Sequence, residues 1–130
     1  MSSLNQHACD HLAQLLEGFG LAAATPLSNW IDGELVAGEG DDITLINPAT
    51  SETLVRYCDA GAALIERATQ AAQRGQREWM ALTASERGRR MNAALRGLEG
   101  HEEALAQLES VVAGKPIRDC RAEVGKVREM

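Results

Sequence analysis

Hydrophobic residues recur with helical spacing near the start of the chain. The spacing i, i+3, i+4, i+7 places them on one face and predicts a helix over residues 5–17. Gly18 and Gly20 follow, and glycines are common where helices end. Residues 21–28 show no period and are predicted to be a linker. The residues of the apolar face are Leu12, Leu15, Leu16 and Phe19.

The middle of the chain has the pattern of short strands and tight turns. Asp32-Gly33 between two short apolar runs predicts a two-residue hairpin, because both turn positions need positive φ. Residues 43–46 and 53–58 predict further strands. Asn47-Pro48 ends the first of them, because proline restricts the preceding residue and donates no hydrogen bond.

From Gly61 onward the pattern predicts four helices. The first spans about 62–78, and the second begins at Thr83-Ala84-Ser85-Glu86, which matches a capping box. The third ends at Gly114, and the fourth begins near Pro116. The predicted fold class is therefore α+β: an N-terminal helix, a short β-hairpin plus a strand, then about four helices. The predicted inward residues are Leu64, Ile65, Ala68 and Ala72 in the first helix, Met91, Leu95 and Leu98 in the second, and Ala104, Leu105, Leu108, Val111 and Val112 in the third.

The last helix carries an apolar stripe that continues to Met130 without a terminator. The stripe consists of Ile117, Cys120, Val124 and Val127. At about 1.5–3 kcal/mol per buried aliphatic side chain, roughly 6 kcal/mol of burial has no obvious partner. This predicts the front part of a longer protein.

Composition and charge exclude several classes of protein. Apolar residues make up 45% of the chain and charged residues 25%, as in globular proteins. Thirteen basic against nineteen acidic residues give a net charge of −6, which argues against nucleic-acid binding. No apolar run is long enough for a membrane span. Three widely spaced cysteines predict no disulfide framework and a reducing, cytoplasmic location.

Two short motifs invite a cofactor or metal interpretation. Residues 18–23 match G-x-G-x-x-A, but a helix precedes them, where the dinucleotide fingerprint requires a strand, so we read them as a helix stop. His7, Cys9 and His11 form H-x-C-x-H, but Cys9 points away from the two histidines and His101 stands alone. We therefore predict no cofactor-binding and no metal-binding residues.

A basic run and two cysteines complete the candidate chemistry. The run could grip a phosphate or an acidic partner, but such runs are more often solvated faces with local charge pairing. Cys120 falls on the apolar stripe and is predicted to be a small core residue. Cys58 ends a strand and is predicted to be structural, so no catalytic residue is assigned. The basic run consists of Arg87, Arg89, Arg90 and Arg96.

An ordered set of motifs over residues 29–130 resembles the N-terminal part of the aldehyde dehydrogenase superfamily. Each motif is weak alone, but the order and spacing of the set are specific. The motifs are Ile31-Asp32-Gly33, Ile46-Asn47-Pro48-Ala49-Thr50-Ser51-Glu52, Ala68-Thr69-Gln70-Ala71-Ala72, Trp79, Thr83 to Arg87, Ala104 to Ser110, Gly114-Lys115-Pro116-Ile117 and Glu123-Val124-Gly125. On this basis residues 1–28 form an N-terminal helical extension and linker, and residues 29–130 a fragment of the α/β aldehyde dehydrogenase fold.

The resemblance implies an oxidoreductase family that oxidises aldehydes to carboxylic acids with NAD or NADP. Its nucleophilic cysteine, glutamate base, asparagine oxyanion donor and cofactor motif lie downstream of the matched region. The cysteines Cys9, Cys58 and Cys120 do not align with that nucleophile. The resemblance therefore implies that this chain is truncated before the catalytic residues, is inactive alone and binds no cofactor alone. It also implies that the last helix borders the substrate entrance of the intact enzyme.

Three positions depart from the family pattern. Ser51 stands where glycine is usual, and a turn that needs positive φ would make it cost about 1 kcal/mol. Leu35 stands where a large aromatic residue is common. Val112 replaces an acidic residue that, with the backbone near Ile46, holds a structural monovalent cation in some members, so that site is not carried over.

Three functional hypotheses follow from the sequence. The first is an N-terminal fragment of an NAD(P)-dependent aldehyde dehydrogenase. The second is a non-catalytic interaction module that docks on a full-length aldehyde dehydrogenase. The third is a small metal or redox protein using His7, Cys9 and His11. The expected partners are the remainder of an aldehyde dehydrogenase or a second copy of this chain, with no nucleic acid and no membrane.

Overall fold

The computed structural model describes residues 2–21 and 27–127. The described residues form an N-terminal helix, two pairs of strands and four further helices, which confirms the predicted α+β class. The elements are α1 (Ser3–Gly18), β1 (Asn29–Ile31), β2 (Glu34–Val36), β3 (Asp42–Ile46), β4 (Thr53–Cys58), α2 (Gly61–Ala81), α3 (Ala84–Arg96), α4 (Glu102–Ala113) and α5 (Ile117–Val127).

The chain divides into two compact units. The first contains α1, the turn that joins β3 to β4, and helices α4 and α5. The second contains β1, β2, α2 and α3. Strands β3 and β4 pair with each other, and the division passes through both of them. None of the described helices is both long and apolar enough to cross a membrane.

Helix α1 of the first unit is capped at both ends. The Ser2 hydroxyl accepts a hydrogen bond from the Asn5 amide at the N-terminus. At the other end Gly20 has φ +76°, and the amides of Gly20 and Leu21 donate to the carbonyls of Glu17 and Leu16 at 2.9 and 2.8 Å. This pair of bonds is the Schellman motif. The predicted helix stop is thereby confirmed.

Helices α4 and α5 pack against each other in the first unit. Cys120 of α5 and Ala106 of α4 are fully buried, and Ile117 and Val124 are half-buried. Helix α4 is therefore a partner for α5 that the sequence analysis did not identify, and the predicted stripe is buried in part, at Cys120 fully and at Ile117 and Val124 by half. Only Val127, at 42%, is exposed. Helix α4 ends at Ala113 and α5 begins at Ile117. The sequence pattern shows an apolar face on each helix but does not show that the two faces pack together.

The hairpin of the second unit has the predicted turn. Asp32 and Gly33 have φ of +55° and +84°, and β1 pairs antiparallel with β2 in the register Asn29↔Val36 and Ile31↔Glu34. The side chain of Ile31 is buried. Two ion pairs join the hairpin to α2: Arg74 to Asp32 at 2.8 Å and Arg67 to Glu34 at 3.8 Å.

Helix α2 buries a narrower face than predicted. Leu64 is buried, and Ala68 and Ala71 are half-buried, whereas Ala72 is exposed and Ile65 is 57% exposed. The prediction of Ile65 and Ala72 as inward residues is therefore wrong. Helix α2 contacts the short strand β1, which covers only one side of the helix surface.

Helix α3 begins at the predicted capping box. The Thr83 hydroxyl accepts from the Glu86 amide at 3.3 Å, and the Thr83 amide donates to the Glu86 carboxylate at 2.9 Å. The Thr83 hydroxyl also donates to that carboxylate, and these bonds together lower the pKa of Glu86.

Candidate functional site

A buried polar cluster joins α1 to the turn between β3 and β4. Asn5 is fully buried, and its side-chain amide donates to the Thr53 carbonyl at 2.9 Å. Its side-chain carbonyl accepts from the Asn47 amide at 2.9 Å and from the Thr50 hydroxyl at 3.0 Å. Each polar group of the Asn5 side chain is therefore satisfied, and the cluster fixes α1 on the turn.

The turn itself has a strained residue. Ser51 has φ +60°, the left-handed conformation, and its amide donates to the Asn47 carbonyl at 2.8 Å. The Asn47 side chain accepts from the Ala49 amide at 2.9 Å, which tightens the turn. The condition under which the sequence analysis assigns Ser51 a cost is therefore met, because glycine adopts positive φ without a steric penalty and serine does not.

Glu52 extends the same cluster to the chain's N-terminal segment. The Ser2 hydroxyl donates to its carboxylate, and the Ser2 amide donates at 2.9 Å. These bonds hold the pKa of Glu52 below its ordinary value. The turn is thus held against both the cap and the first turn of α1.

A shallow groove of about 290 Å³ adjoins this cluster. Its lining is mostly apolar, and its volume is just under the roughly 300–1,000 Å³ typical of sites for small molecules. A smaller depression of about 100 Å³ lies beside Cys58. The lining of the groove contains no ionisable side chain, whereas that of the smaller depression includes Tyr57, Cys58 and Asp59. The groove is lined by Leu4, Ala8, Asn47, Pro48, Ala49, Thr50, Ser110, Val111 and Gly114.

Charged side chains link α4 to α5. Lys115 donates to Glu109 at 2.8 Å and also to Glu123, and these bonds raise its pKa. Arg121 donates to Glu103 through two bonds of 2.7 and 2.9 Å. The Arg121 guanidinium and the Gln107 amide lower the pKa of Glu103 to about 2. These pairs stabilise the helix packing rather than form a reactive centre, because every charge has an adjacent opposite partner.

The proposed metal ligands are not brought together. His7 is exposed and bonds the Ser3 carbonyl of its own helix at 2.7 Å. The Cys9 sulfur lies 3.5 Å from the Leu54 carbonyl oxygen. His101 packs against Phe19, with the ring centroids 5.6 Å apart and the rings tilted by 39°. Over residues 2–21 and 27–127, no three His, Cys, Asp or Glu side chains form a group that could hold a metal ion.

The glycine motif at residues 18–23 follows a helix. Gly18 is the last residue of α1, and Gly20 has the left-handed φ of the Schellman motif. The preceding strand required by a dinucleotide fingerprint is replaced by α1. The last two positions, Ala22 and Ala23, lie outside the described residues.

The four arginines of the basic run lie on or near the surface of α3. Arg87 donates to the Leu82 carbonyl at 2.7 Å and is half-buried. Arg90 is exposed and contributes to lowering the pKa of Glu86, after the bonds from Thr83. Arg89 and Arg96 are exposed and form no ion pair within the part of the chain that the structure describes.

The cysteine environments are those of unreactive thiols. Cys120 is fully buried, and burial raises its pKa. The Cys58 thiol donates to the Asp42 carboxylate at 3.4 Å, and that bond raises its pKa. Reactive cysteines need a lowered pKa, which comes from nearby positive charge. Cys58 lies beside a carboxylate instead, and at Cys120 burial and the Glu109 charge outweigh the opposite effect of Lys115.

Sequence reasoning missed the Asn5 cluster. Asn5 and Asn47 are 42 residues apart along the chain. An asparagine in the first turn of a helix is usually an exposed polar residue, so nothing in its sequence context indicates burial. The motif Asn47-Pro48-Ala49-Thr50-Ser51 indicated a turn at this position. It did not indicate that Asn5 of α1 would bind that turn.

The profile of the aldehyde dehydrogenase family matches residues 35–130, nearly three quarters of the chain. The chain therefore belongs to the aldehyde dehydrogenase family.

Solved structures support the same assignment. Betaine aldehyde dehydrogenase from Staphylococcus aureus, in complex with NAD⁺, is 28% identical over 92% of this chain and 23% of its own, with a TM-score of 0.73. A double mutant of that enzyme is 30% identical over 85% of this chain and 23% of its own, with a TM-score of 0.69. An NAD-dependent benzaldehyde dehydrogenase from Corynebacterium glutamicum is 28% identical over 76% of this chain and 22% of its own, with a TM-score of 0.70.

These matches cover most of this chain but only a small part of each similar enzyme. The chain spans less than a quarter of the length of each of these enzymes. The 92% match is also longer than residues 29–130, which are 102 of the 130 residues, so part of the first 28 residues is included in the structural likeness.

Proposed function

We propose that this chain is the N-terminal part of an NAD(P)-dependent aldehyde dehydrogenase and has no catalytic activity on its own. The intact protein would oxidise an aldehyde to a carboxylic acid with NAD or NADP. In that reaction these residues would support the fold, while the nucleophile, the base and the cofactor site come from polypeptide that this chain does not contain.

The state of the cysteines carries the proposal. Aldehyde oxidation in this family is expected to need a thiolate nucleophile, and a thiolate needs a lowered pKa. The pKa values of Cys58 and Cys120 are raised, and Cys9 faces backbone carbonyls of β4. Free cysteines, rather than disulfides, also favour a reducing compartment, and we propose the cytoplasm.

The test is an assay of the purified chain with a panel of aldehydes and either NAD⁺ or NADP⁺. We expect no aldehyde-dependent NADH or NADPH formation above buffer, and no binding of either cofactor by calorimetry. Cys58→Ser and Cys120→Ser serve as matched controls. Turnover that disappears in either variant would overturn the proposal.

A second candidate function is a non-catalytic module that docks on a full-length aldehyde dehydrogenase or on a second copy of itself. The exposed apolar side chains favour it, since Trp30 is 70% exposed and faces its cross-strand neighbour Leu35, which is also exposed. Large exposed apolar groups of this kind are typical of interaction surfaces. Co-purification of the tagged chain with the intact enzyme, set against sedimentation of the chain alone, separates docking from self-association.

A further inference from the structure

The turn between β1 and β2 contains the one Asp-Gly step of the sequence, Asp32-Gly33. At such a step the side-chain carboxyl group can react with the backbone nitrogen of the next residue, because glycine has no Cβ to shield that nitrogen. A Cβ built on Gly33 would meet no described atom beyond its chain neighbours within 4 Å, so the turn is open on this side. Asp32 therefore has the neighbour that this intramolecular reaction needs.

The backbone of Asp32 is held in a conformation that L residues rarely adopt. Its φ is +55°, and Gly33 follows with φ +84°. The left-handed region is sterically unfavourable for a residue with a Cβ, and here the pairing of Ile31 with Glu34 closes the turn around it. The side chain of Asp32 is 60% exposed, so water can reach its carboxyl group. A change that lengthens the main chain at this point would relieve the constraint.

One contact opposes that reaction. The Arg74 guanidinium donates a 2.8 Å hydrogen bond to the Asp32 carboxylate. Arg74 belongs to α2, which contacts β1, so the bond ties the carboxyl group to the helix. The carboxyl carbon reaches the Gly33 nitrogen only in a suitable rotamer, and the bond to Arg74 restricts that rotation.

The chain provides two internal comparisons. Arg67 lies one heptad before Arg74 on α2 and pairs with Glu34 of the same hairpin at 3.8 Å, without contacting Asp32 in that pair. The exposed Asp59 accepts a 2.7 Å hydrogen bond from the Ala60 amide, so its carboxylate already lies beside the next backbone nitrogen. Ala60 has a Cβ, however, and Gly33 has none. The first pair separates the Asp32 contact from hairpin stability, and the second separates glycine from proximity.

We propose that Asp32 is a site of spontaneous isoaspartate formation and that Arg74 sets the rate. The Gly33 nitrogen bonds to the side-chain carboxyl carbon of Asp32, and the hydroxyl of that carboxyl group leaves with the amide proton as water. Water then opens the resulting succinimide ring. Opening at the main-chain carbonyl gives isoaspartate, and opening at the side-chain carbonyl restores aspartate. One water is lost and one is gained, so no co-reactant is needed. The inference is independent of the proposed function.

The reaction would loosen the hairpin from α2. Isoaspartate adds one methylene to the main chain of a turn of two residues, and the length of the turn fixes the register of the strands. That register places the buried Ile31 opposite Glu34. The displaced carboxylate also leaves its position beside Arg74.

The test measures isoaspartate in the full chain during storage in neutral buffer, and in parallel in urea. Methylation by a protein isoaspartate methyltransferase with S-adenosylmethionine gives the amount, and tandem mass spectrometry gives the position. The variants are Arg74→Gln and the matched control Arg67→Gln. Asp32→Glu is the blank, because its longer side chain does not form the same ring. Circular dichroism verifies folding, and Arg74→Lys, which retains the charge without the planar fork, replaces Arg74→Gln if the latter does not fold.

We expect isoaspartate at Asp32 in the folded wild-type chain, and formation at least threefold faster in Arg74→Gln but less than 1.5-fold faster in Arg67→Gln. In urea the three chains should react at the same rate, because the contact is then absent. Isoaspartate at Asp32 in urea but in neither folded chain, or equal formation at Asp59, would overturn the assignment of the site. Equal rates in folded wild type and Arg74→Gln, or equal acceleration by both arginine substitutions, would overturn the role of Arg74.

Discussion

The Asn47 side-chain amide donates a 2.9 Å hydrogen bond to the Asn5 side-chain carbonyl, and both residues are buried. This one bond joins the first turn of α1 to the turn after β3. Buried polar groups are costly unless they are paired, so the cluster stabilises the structure only while every member is present. Asn5 is its centre because its side chain bonds Asn47, Thr50 and the Thr53 carbonyl at 2.9–3.0 Å, and the Cys9 sulfur at 3.9 Å.

Replacing Asn5 by Ala should therefore destabilise the first unit by about 3 kcal/mol. The substitution removes the acceptor of the Asn47 amide and the Thr50 hydroxyl, and leaves the Thr53 carbonyl with only the weak Cys9 thiol at 3.8 Å. An unsatisfied buried group costs about 1–3 kcal/mol. Urea denaturation followed by circular dichroism measures the change. Gln6→Ala is the control, since Gln6 is exposed on the same helix and its side-chain amide donates to the exposed Asp10 carboxylate. Equal effects of the two variants would show that the cluster contributes nothing.

Replacing Ser51 by Gly should stabilise the protein by roughly 1 kcal/mol. Ser51 has φ +60°, where a residue with a Cβ is strained and glycine is not. The same substitution at Ser85, in the first turn of α3, should give no gain, because glycine is a poor helix former. The midpoint of thermal unfolding measures both. A loss of stability in Ser51→Gly would mean that the turn is not strained.

Replacing Gly38 by Ala should prevent correct folding of the second unit. A Cβ at Gly38 would lie 2.1 Å from the Cys58 carbonyl oxygen, a backbone atom that cannot rotate away. Gly75→Ala is the matched control. Position 75 is in the middle of α2 with open space around it, so alanine there should stabilise by about 0.5–1 kcal/mol. Amide hydrogen exchange in α2 and the β1–β2 hairpin measures the outcome. Wild-type protection from exchange in Gly38→Ala would contradict the close approach of Gly38 to the Cys58 carbonyl.

The Glu103–Arg121 pair should give a small acid dependence of stability. The pKa of Glu103 falls from 4.5 to about 2 in the folded state. The pair therefore stabilises the fold above pH 4.5, and this stabilisation is lost as the pH falls towards 2. Glu103→Gln and Arg121→Gln should each reduce the loss of stability over that window. Arg118→Gln is the control, because Arg118 is 84% exposed and pairs only with its neighbour Asp119. The effect is small because both partners are about half exposed. Denaturation curves at pH 5 and pH 3 give the change in the free energy of unfolding for each variant. The same change in all variants would show that the Glu103–Arg121 pair is not its cause.

Local signals predicted most of the elements. The positive φ of Asp32 and Gly33, the Thr83–Glu86 capping box and the Gly20 stop were all readable, because each depends on residues within a few positions. Strand β4 was predicted with its observed bounds, Thr53–Cys58. Chemistry that is local in sequence is thus recoverable from sequence.

Contacts between distant segments were not predictable in the same way. Nothing near Asn5 indicates that Asn47 will bind it, and nothing near Gly38 indicates that the Cys58 carbonyl will approach. The packing of α5, with its buried Cys120, on α4 was missed for a related reason. An apolar stripe on each of two helices does not indicate that those two faces contact each other. The reverse error occurred at Ile65, where an apolar residue at helical spacing is exposed.

The central claim is tested most directly by the rate of aldehyde-dependent NAD⁺ or NADP⁺ reduction in a co-expressed pair. The pair is this chain and an aldehyde dehydrogenase polypeptide from the same organism that lacks the matching segment. Co-expression is preferred to mixing, because exposed apolar surfaces promote aggregation of the separate parts. We predict measurable turnover by the co-purified pair and none by either part alone. Two soluble parts that co-purify without turnover, or turnover by this chain alone, would contradict the account.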